Sequence, residues 1–310
     1  FGEGRKLLDA DTGKKAIDFL LKHSKGRRNL ELDFFGGEPL MNMPVIKEVV
    51  SYARSKEAEY NKKFRFTVTT NGVLLNDEIT DYLNKEMYNI VLSIDGRKEV
   101  NDRMRPGING KGSYDVILPK FRRLVEKRGD GQYYVRGTFT KYNLDFAQDV
   151  LHLNEAGFDQ VSVEPVVTDP KNDYALTEAE LPRIYEEYEA LAKALVENKK
   201  AGKGFNFFHF MIDLDQGPCA IKRLRGCGCG NEYVAVTPDG DIYPCHQFVG
   251  MEEFKMGSVL DDTLNTQMKD EFARANVYTK EECKTCWAKF YCSGGCNANN
   301  FQYAGDIHKP

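Results

Sequence analysis

The first 218 of the 310 residues contain no cysteine, whereas eight lie between Cys219 and Cys296. Such crowding argues against a disulfide framework that staples the whole chain, with local disulfides the plain alternative. It points instead to metal held by thiolates in a reducing compartment, and so to the cytoplasm. Long apolar runs are also missing. The longest, at residues 90–94 and 205–211, fall far short of the roughly 18 residues that span a bilayer, so no membrane is expected. There is no basic block, and a net charge of -4 argues against nucleic acid as the main partner, since phosphate binding needs clustered Lys and Arg. The chain has no internal repeat, no low-complexity tract, no charged-then-apolar leader and no methionine at its start, Phe1. It reads as a piece of a longer protein.

What is present up to about residue 210 is an alternation of short apolar runs with longer amphipathic ones, the pattern of βα units around a parallel sheet. Residues 30–35, 64–70, 90–94, 133–139 and 160–166 read as strands, with a sixth at 205–211. Helices are expected over 12–23, 44–60, 77–85, 114–127, 144–156 and 177–198; in the first, Ala16, Ile17, Leu20 and Leu21 share one face. Five or six units resemble a barrel that lacks part of its wall, because a closed eight-unit barrel takes about 250 residues. The expected fold class is α/β: a partial (βα)6-type parallel barrel over residues 1–211, then a small Cys-rich domain over 212–310. In the latter, residues 232–237 and 241–245 flank Pro238-Asp239-Gly240 and predict a β-hairpin.

The strongest chemical signal is Cys283, Cys286, Cys292 and Cys296, four thiols spaced by two, five and three residues. Gly294-Gly295 lets the backbone approach closely, and such a set suits a soft metal site. Zinc and iron–sulfur both accept four thiolates, so a zinc ribbon and a cluster both stay open on this motif. Cys219, Cys227, Cys229 and Cys245 can supply a second site, and eight cysteines in two nearby groups favour two clusters over one zinc. His246, next to Cys245, is a candidate ligand or base.

In the barrel half, Gly36-Gly37-Glu38-Pro39 ends the first strand, with Glu38 placed to accept hydrogen bonds from an ammonium group at the strand mouth. Thr69-Thr70-Asn71-Gly72 and Ser93-Ile94-Asp95-Gly96 end the next two strands in the same way, so three polar, Gly-terminated ends face one mouth. Arg103 and Arg105 each offer a guanidinium that grips a carboxylate bidentately. Arg136 and Glu164 are ionisable groups inside apolar strands, to be satisfied by a ligand or by each other.

Together these segments resemble the radical S-adenosylmethionine enzymes with a SPASM auxiliary-cluster domain. The resemblance is carried by Gly36-Gly37-Glu38-Pro39, by Ser93 to Gly96, by Asn101-Asp102-Arg103-Met104-Arg105, by Tyr243-Pro244-Cys245 and by the Cys283 to Cys296 spacing. Within that family, Lys222-Arg223-Leu224-Arg225-Gly226-Cys227-Gly228-Cys229-Gly230 and Tyr243-Pro244-Cys245-His246-Gln247-Phe248 most resemble the maturases of six-cysteine (SCIFF) peptides. Those enzymes form thioethers between cysteine sulfur and an α-carbon of a ribosomal peptide. The runner-up is an anaerobic sulfatase-maturating enzyme, in which an Asp follows the hairpin cysteine; here that position is His246. Two readings from other classes stay open, a zinc-ribbon binding protein and a cluster scaffold without catalysis.

The resemblance implies S-adenosylmethionine and [4Fe–4S] clusters as cofactors, a ribosomal precursor peptide as substrate and an electron donor as a further partner. It implies cofactor contacts at Gly36, Gly37, Glu38, Pro39, Thr70, Asn71, Ser93, Asp95, Arg105, Arg136 and Glu164. The eight cysteines become ligands of two auxiliary clusters, with Cys296 expected to return to the first. One departure is plain: the family's defining loop of three cysteines near the first barrel strand has no counterpart before Cys219. The sequence also ends fourteen residues after Cys296, before the region of a further expected ligand. Both gaps are read as truncation, so the piece alone is expected to be inactive.

Overall fold

Phe64, Phe66 and Val68 are buried, while the alternating Arg65, Thr67 and Thr69 stay half-exposed. This period-two pattern sets the long strands of the main sheet. The computed structural model describes residues 6–107, 110–211 and 220–310. The chain opens with α1 (Ala10–His23), β1 (Asn29–Phe34), α2 (Met43–Tyr60), β2 (Lys63–Thr70), α3 (Asp77–Glu86) and β3 (Asn89–Ser93). It continues through α4 (Lys98–Met104), α5 (Tyr114–Arg128), β4 (Gln132–Phe139), α6 (Phe146–Glu155), β5 (Gln160–Pro165), α7 (Leu181–Lys200) and β6 (Asn206–Phe207). These six strands form one sheet in sequence order, pairing in parallel from β2 to β6. The α/β class and the six-unit parallel sheet are as the sequence pattern predicts.

Helix boundaries follow local chemistry. Asp9 accepts a hydrogen bond from the Thr12 amide to start α1, and Asn76 does the same for Ile79 in α3, each satisfying a donor that the first turn leaves unpaired. The last predicted strand is shortened: β6 has two residues, and Phe208–Phe210 is a 3-10 turn. Phe207 packs against the rings of His209 and Phe210, and both of those pack against Tyr188, which an extended strand with alternating faces does not allow. Helix α4, not expected from periodicity, covers most of the Asn101-to-Arg105 motif and buries Asn101 completely.

The C-terminal part holds α8 (Ala220–Arg225), β7 (Ala235–Val236), β8 (Asp241–Tyr243), β9 (Gly257–Ser258) and β10 (Thr263–Leu264), then α9 (Thr266–Arg274), α10 (Lys289–Cys292) and α11 (Asn297–Ala304). The expected hairpin is β7–β8, antiparallel, extended by β9 and β10 into a four-stranded sheet.

Contacts divide the chain into two compact units. One is Glu31–Met41 with Phe64–Ile212, which holds nearly all of the parallel sheet. The other joins the C-terminal segment to Phe1–Leu30 and Asn42–Lys63, so α1 and α2 group with the antiparallel sheet. In that unit Phe19 of α1 packs with Ile242, Met256 and Val259, and Arg27 reaches Glu232 at 2.6 Å.

Candidate functional site

In the barrel unit, the apolar sides of the strands are buried and the other sides carry polar groups. Thr67, Thr69, Asn89, Ser93, Tyr134, Arg136, Thr138 and Glu164 are half-exposed or open on that second face. Parallel register sets Ser93 opposite Arg136 and Thr138 opposite Glu164. Arg136 grips Glu164 bidentately, with Nε at 3.1 Å and Nη2 at 2.6 Å from its carboxylate oxygens, and Ser162 donates a third bond to it. Burial pushes the Glu164 carboxyl up, but Arg136 beside it outweighs that and leaves it below its ordinary value. The two residues therefore satisfy each other. Next to them His209 bonds Tyr188 at 2.8 Å; burial pulls the His209 imidazole down and pushes the Tyr188 phenol up to about 12. Sequence reasoning missed this pair, because His209 sat in an apolar run read as a strand.

At the strand ends, Glu38 is tied into the scaffold. Its carboxylate accepts from the Thr70 hydroxyl at 2.8 Å and from the amides of Leu40 and Asn71 at 3.0 and 2.8 Å. A carboxylate with three such donors holds the ends of β1 and β2 together. Asn71 caps its own turn through the Val73 amide. Gly36 and Gly37, before Pro39, are exposed, and a Cβ on either meets nothing within 4 Å. Asp95, 2% exposed, binds Arg105 through two parallel bonds and accepts from the Thr138 amide at 2.9 Å. Gly137 makes this approach feasible, because a Cβ there comes 2.6 Å from the Ile94 carbonyl and 2.8 Å from the Asp95 Cα. The mouth thus combines an open Gly-Gly edge with a rigid ring of paired charges. These are features that suit a small zwitterionic ligand.

In the other unit, the cysteines form two neighbourhoods. The Cys229 and Cys245 thiols are hydrogen-bonded to each other, and that bond, with the nearby amides of Gln247 and Phe248, outweighs burial and draws the Cys245 thiol down to about 7. The Cys245 neighbour and burial push the Cys229 thiol strongly up. Burial and the nearby Cys296 and Cys245 raise Cys227 as well. The loop is pinned by the Gly230 amide, which donates to the Pro244 carbonyl at 3.0 Å. The second neighbourhood is Cys283 with Cys292 and Cys286, beside the buried Lys280. Cys296 is electrostatically close to both groups. His246 opens the 3-10 turn His246–Phe248 directly after Cys245, and Cys219 lies outside the described residues.

Among the described residues, no three His, Cys, Asp or Glu side chains gather as they do around a single metal ion. The donor set, thiols gathered in two nearby groups, is one that iron–sulfur centres take. Cys227, Cys229, Cys245 and Cys296 would hold one such centre, and Cys283, Cys286 and Cys292 would contribute to another. For a cluster in the barrel half the residues do not fit, since residues 1–218 carry no thiol. No described helix is long and apolar enough to cross a membrane.

Comparison with known proteins places these features in a family. The 4Fe-4S single cluster domain matches residues 2–118 and the SPASM iron-sulfur cluster-binding domain matches residues 227–287. An uncharacterized protein of Methanocaldococcus jannaschii is 34% identical over 80% of this chain and 79% of its own length. An uncharacterized protein of Archaeoglobus fulgidus is 29% identical over 88% of the chain, which spans only 64% of that relative. A cysteine-type anaerobic sulfatase-maturating enzyme of Clostridium novyi is 24% identical over 89% of the chain and 75% of the enzyme. Native anSMEcpe with bound AdoMet superposes with a TM-score of 0.79 at 19% identity, over 96% of this chain and 82% of that one. A second structure of it, with AdoMet and the Kp18Cys peptide, gives 0.77 at 20% identity over 95% and 82%. With the parallel six-strand sheet, the open Gly-Gly mouth and the two thiol groups, these matches make the chain a member of the radical S-adenosylmethionine enzymes that carry a SPASM domain.

Proposed function

We propose that the intact protein modifies a cysteine-containing peptide, joining a cysteine sulfur to the α-carbon of another residue. The observation that carries this reading is the thiol neighbourhood of Cys227, Cys229, Cys245 and Cys296, on a chain similar to an enzyme solved with both AdoMet and a cysteine peptide bound. The resemblance of residues 222–230 and 243–248 to the maturases of six-cysteine peptides supports thioether formation. S-adenosylmethionine, when bound and reductively cleaved, supplies the radical that such chemistry needs. In the balance, the α-carbon loses a hydrogen atom, the thiol loses a proton, a C–S bond forms, and one electron is left for an auxiliary cluster. The residues of this chain have a different task. The open Gly36-Gly37 edge and the half-exposed Ser93 offer contacts to the cofactor, while the Asp95–Arg105 and Arg136–Glu164 pairs hold the mouth in shape. A ribosomal precursor peptide and an electron donor are the partners this reading requires, and the cytoplasm is its setting.

A second reading is supported by the sulfatase-maturating relatives: oxidation of a single side chain in a protein substrate. His246 would then stand where that group carries an Asp. Anaerobic turnover of the full-length protein with S-adenosylmethionine, a reductant and a cysteine-rich peptide separates the two by mass spectrometry. A crosslink that keeps its sulfur, loses two hydrogens and survives thiol reduction supports the thioether. Loss of the sulfur with a new carbonyl supports the second reading. A product formed without S-adenosylmethionine overturns both.

A further inference from the structure

Among the described residues Lys280 is the only buried Lys or Arg, at 1% exposure. A buried ammonium is destabilising unless charge or hydrogen bonds compensate it. Its two hydrogen-bond partners are both neutral, the Gly294 carbonyl at 2.7 Å and Asn297 Oδ1 at 3.1 Å. The titratable groups facing it are Cys283, Cys292 and Cys296, and more weakly Asp306. The Lys280 carbonyl also accepts from the Cys283 amide at 3.1 Å. One residue thus touches both ends of the four-cysteine segment, through its backbone at Cys283 and through its ammonium at the Gly294 turn between Cys292 and Cys296. Gly294, at φ +80°, presses against its stem, with Cδ 3.3 Å from where a Cβ would stand. As neutral thiols these cysteines leave the ammonium without a countercharge, whereas as thiolates on an anionic cluster they provide one.

We propose that Lys280 is a positioning residue for an iron–sulfur cluster on Cys283, Cys286 and Cys292, its ammonium being the built-in countercharge that favours the cluster's reduced, more negative state. The proposal rests on the cluster reading of these thiols, not on the identity of the peptide. The test is an EPR-monitored redox titration of the anaerobically reconstituted protein, following the signal that Cys292→Ala abolishes, with Lys280→Gln and Lys280→Met beside the wild type. Gln can still donate to the Gly294 carbonyl, so it separates hydrogen bonding from charge. The expected result is full iron content in Lys280→Gln with its midpoint shifted to more negative potential, by at least the tenfold change in equilibrium that corresponds to about 59 mV for one electron. An unchanged midpoint at full iron content overturns the proposal and leaves Lys280 a latch. If both neutral variants fail to take up iron, Lys280→Arg decides: uptake by Arg alone supports the charge, and failure of all three overturns it. Wild-type protein that holds zinc and takes no iron removes the cluster reading itself, which the wild-type metal content shows before any variant is compared.

Discussion

The carboxylate of Asp95 receives two parallel hydrogen bonds from Arg105, Nε to Oδ2 at 2.8 Å and Nη2 to Oδ1 at 2.9 Å. Asp95 follows β3 and Arg105 follows α4, so this fork closes the segment between them. Asp95→Ala removes the acceptor and leaves both the guanidinium and the Thr138 amide unpaired. Breaking a buried pair costs about 3–5 kcal/mol; because Arg105 is one-third exposed and partly rehydrates, the expected loss is about 2–3 kcal/mol. Urea unfolding measures it, and a change below about 0.5 kcal/mol shows that the fork does not hold the loop.

Two glycines at the mouth should behave oppositely. Gly137→Ala drives a methyl into the Ile94 carbonyl and the Asp95 Cα, backbone atoms that cannot rotate aside, so stability falls by about 1–3 kcal/mol or more. Gly37→Ala meets open space and leaves the unfolding midpoint nearly unchanged, yet it covers the edge proposed for the cofactor. Equilibrium dialysis of the full-length protein should show weaker S-adenosylmethionine binding for Gly37→Ala; equal binding would take Gly37 out of the site.

Phe19 extends from α1 into the cluster formed by Ile242, Met256 and Val259. Phe19→Ala should cost about 3–5 kcal/mol and speed hydrogen exchange in β8 and β9, while Tyr185→Ala on an exposed site should cost little. Unaltered protection of the Ile242 and Met256 amides would mean that the antiparallel sheet stands without α1.

Acid should weaken the protein partly through Glu180. The Thr177 hydroxyl and amide, and then Lys141, hold its carboxyl down at about 2, against about 4.3 in an unfolded chain. Below pH 5 the unfolded state binds more protons at this residue than the folded one, so its contribution is present above that pH and is lost as the pH falls towards 2. Glu180→Gln should flatten the stability profile between pH 5 and 2, read from urea midpoints; an unaltered slope would show that the carboxyl titrates normally.

Most strands and helices of the barrel half were legible within a residue or two, since period-two and period-3.6 patterns are local. Helix α4 was not, because Lys98 to Met104 has no apolar stripe and is held by Asn101, which bonds the Asp95 amide and Ser113 from inside. The partition of α1 and α2 with the C-terminal segment was also illegible, as it depends on contacts more than 200 residues apart.

The sequence by itself determined the repeating βα order, the confinement of every thiol to the C-terminal third and the glycine-ended strand mouths, because each is written in residue type and near spacing. Only the tertiary structure decided who pairs with whom. Parallel register brings Arg136 beside Glu164, chain reversal puts Cys229 against Cys245, and the fold of the last thirty residues buries the ammonium of Lys280. A charged side chain is expected at the surface until the fold supplies its partners, and those partners come from segments that no local pattern connects.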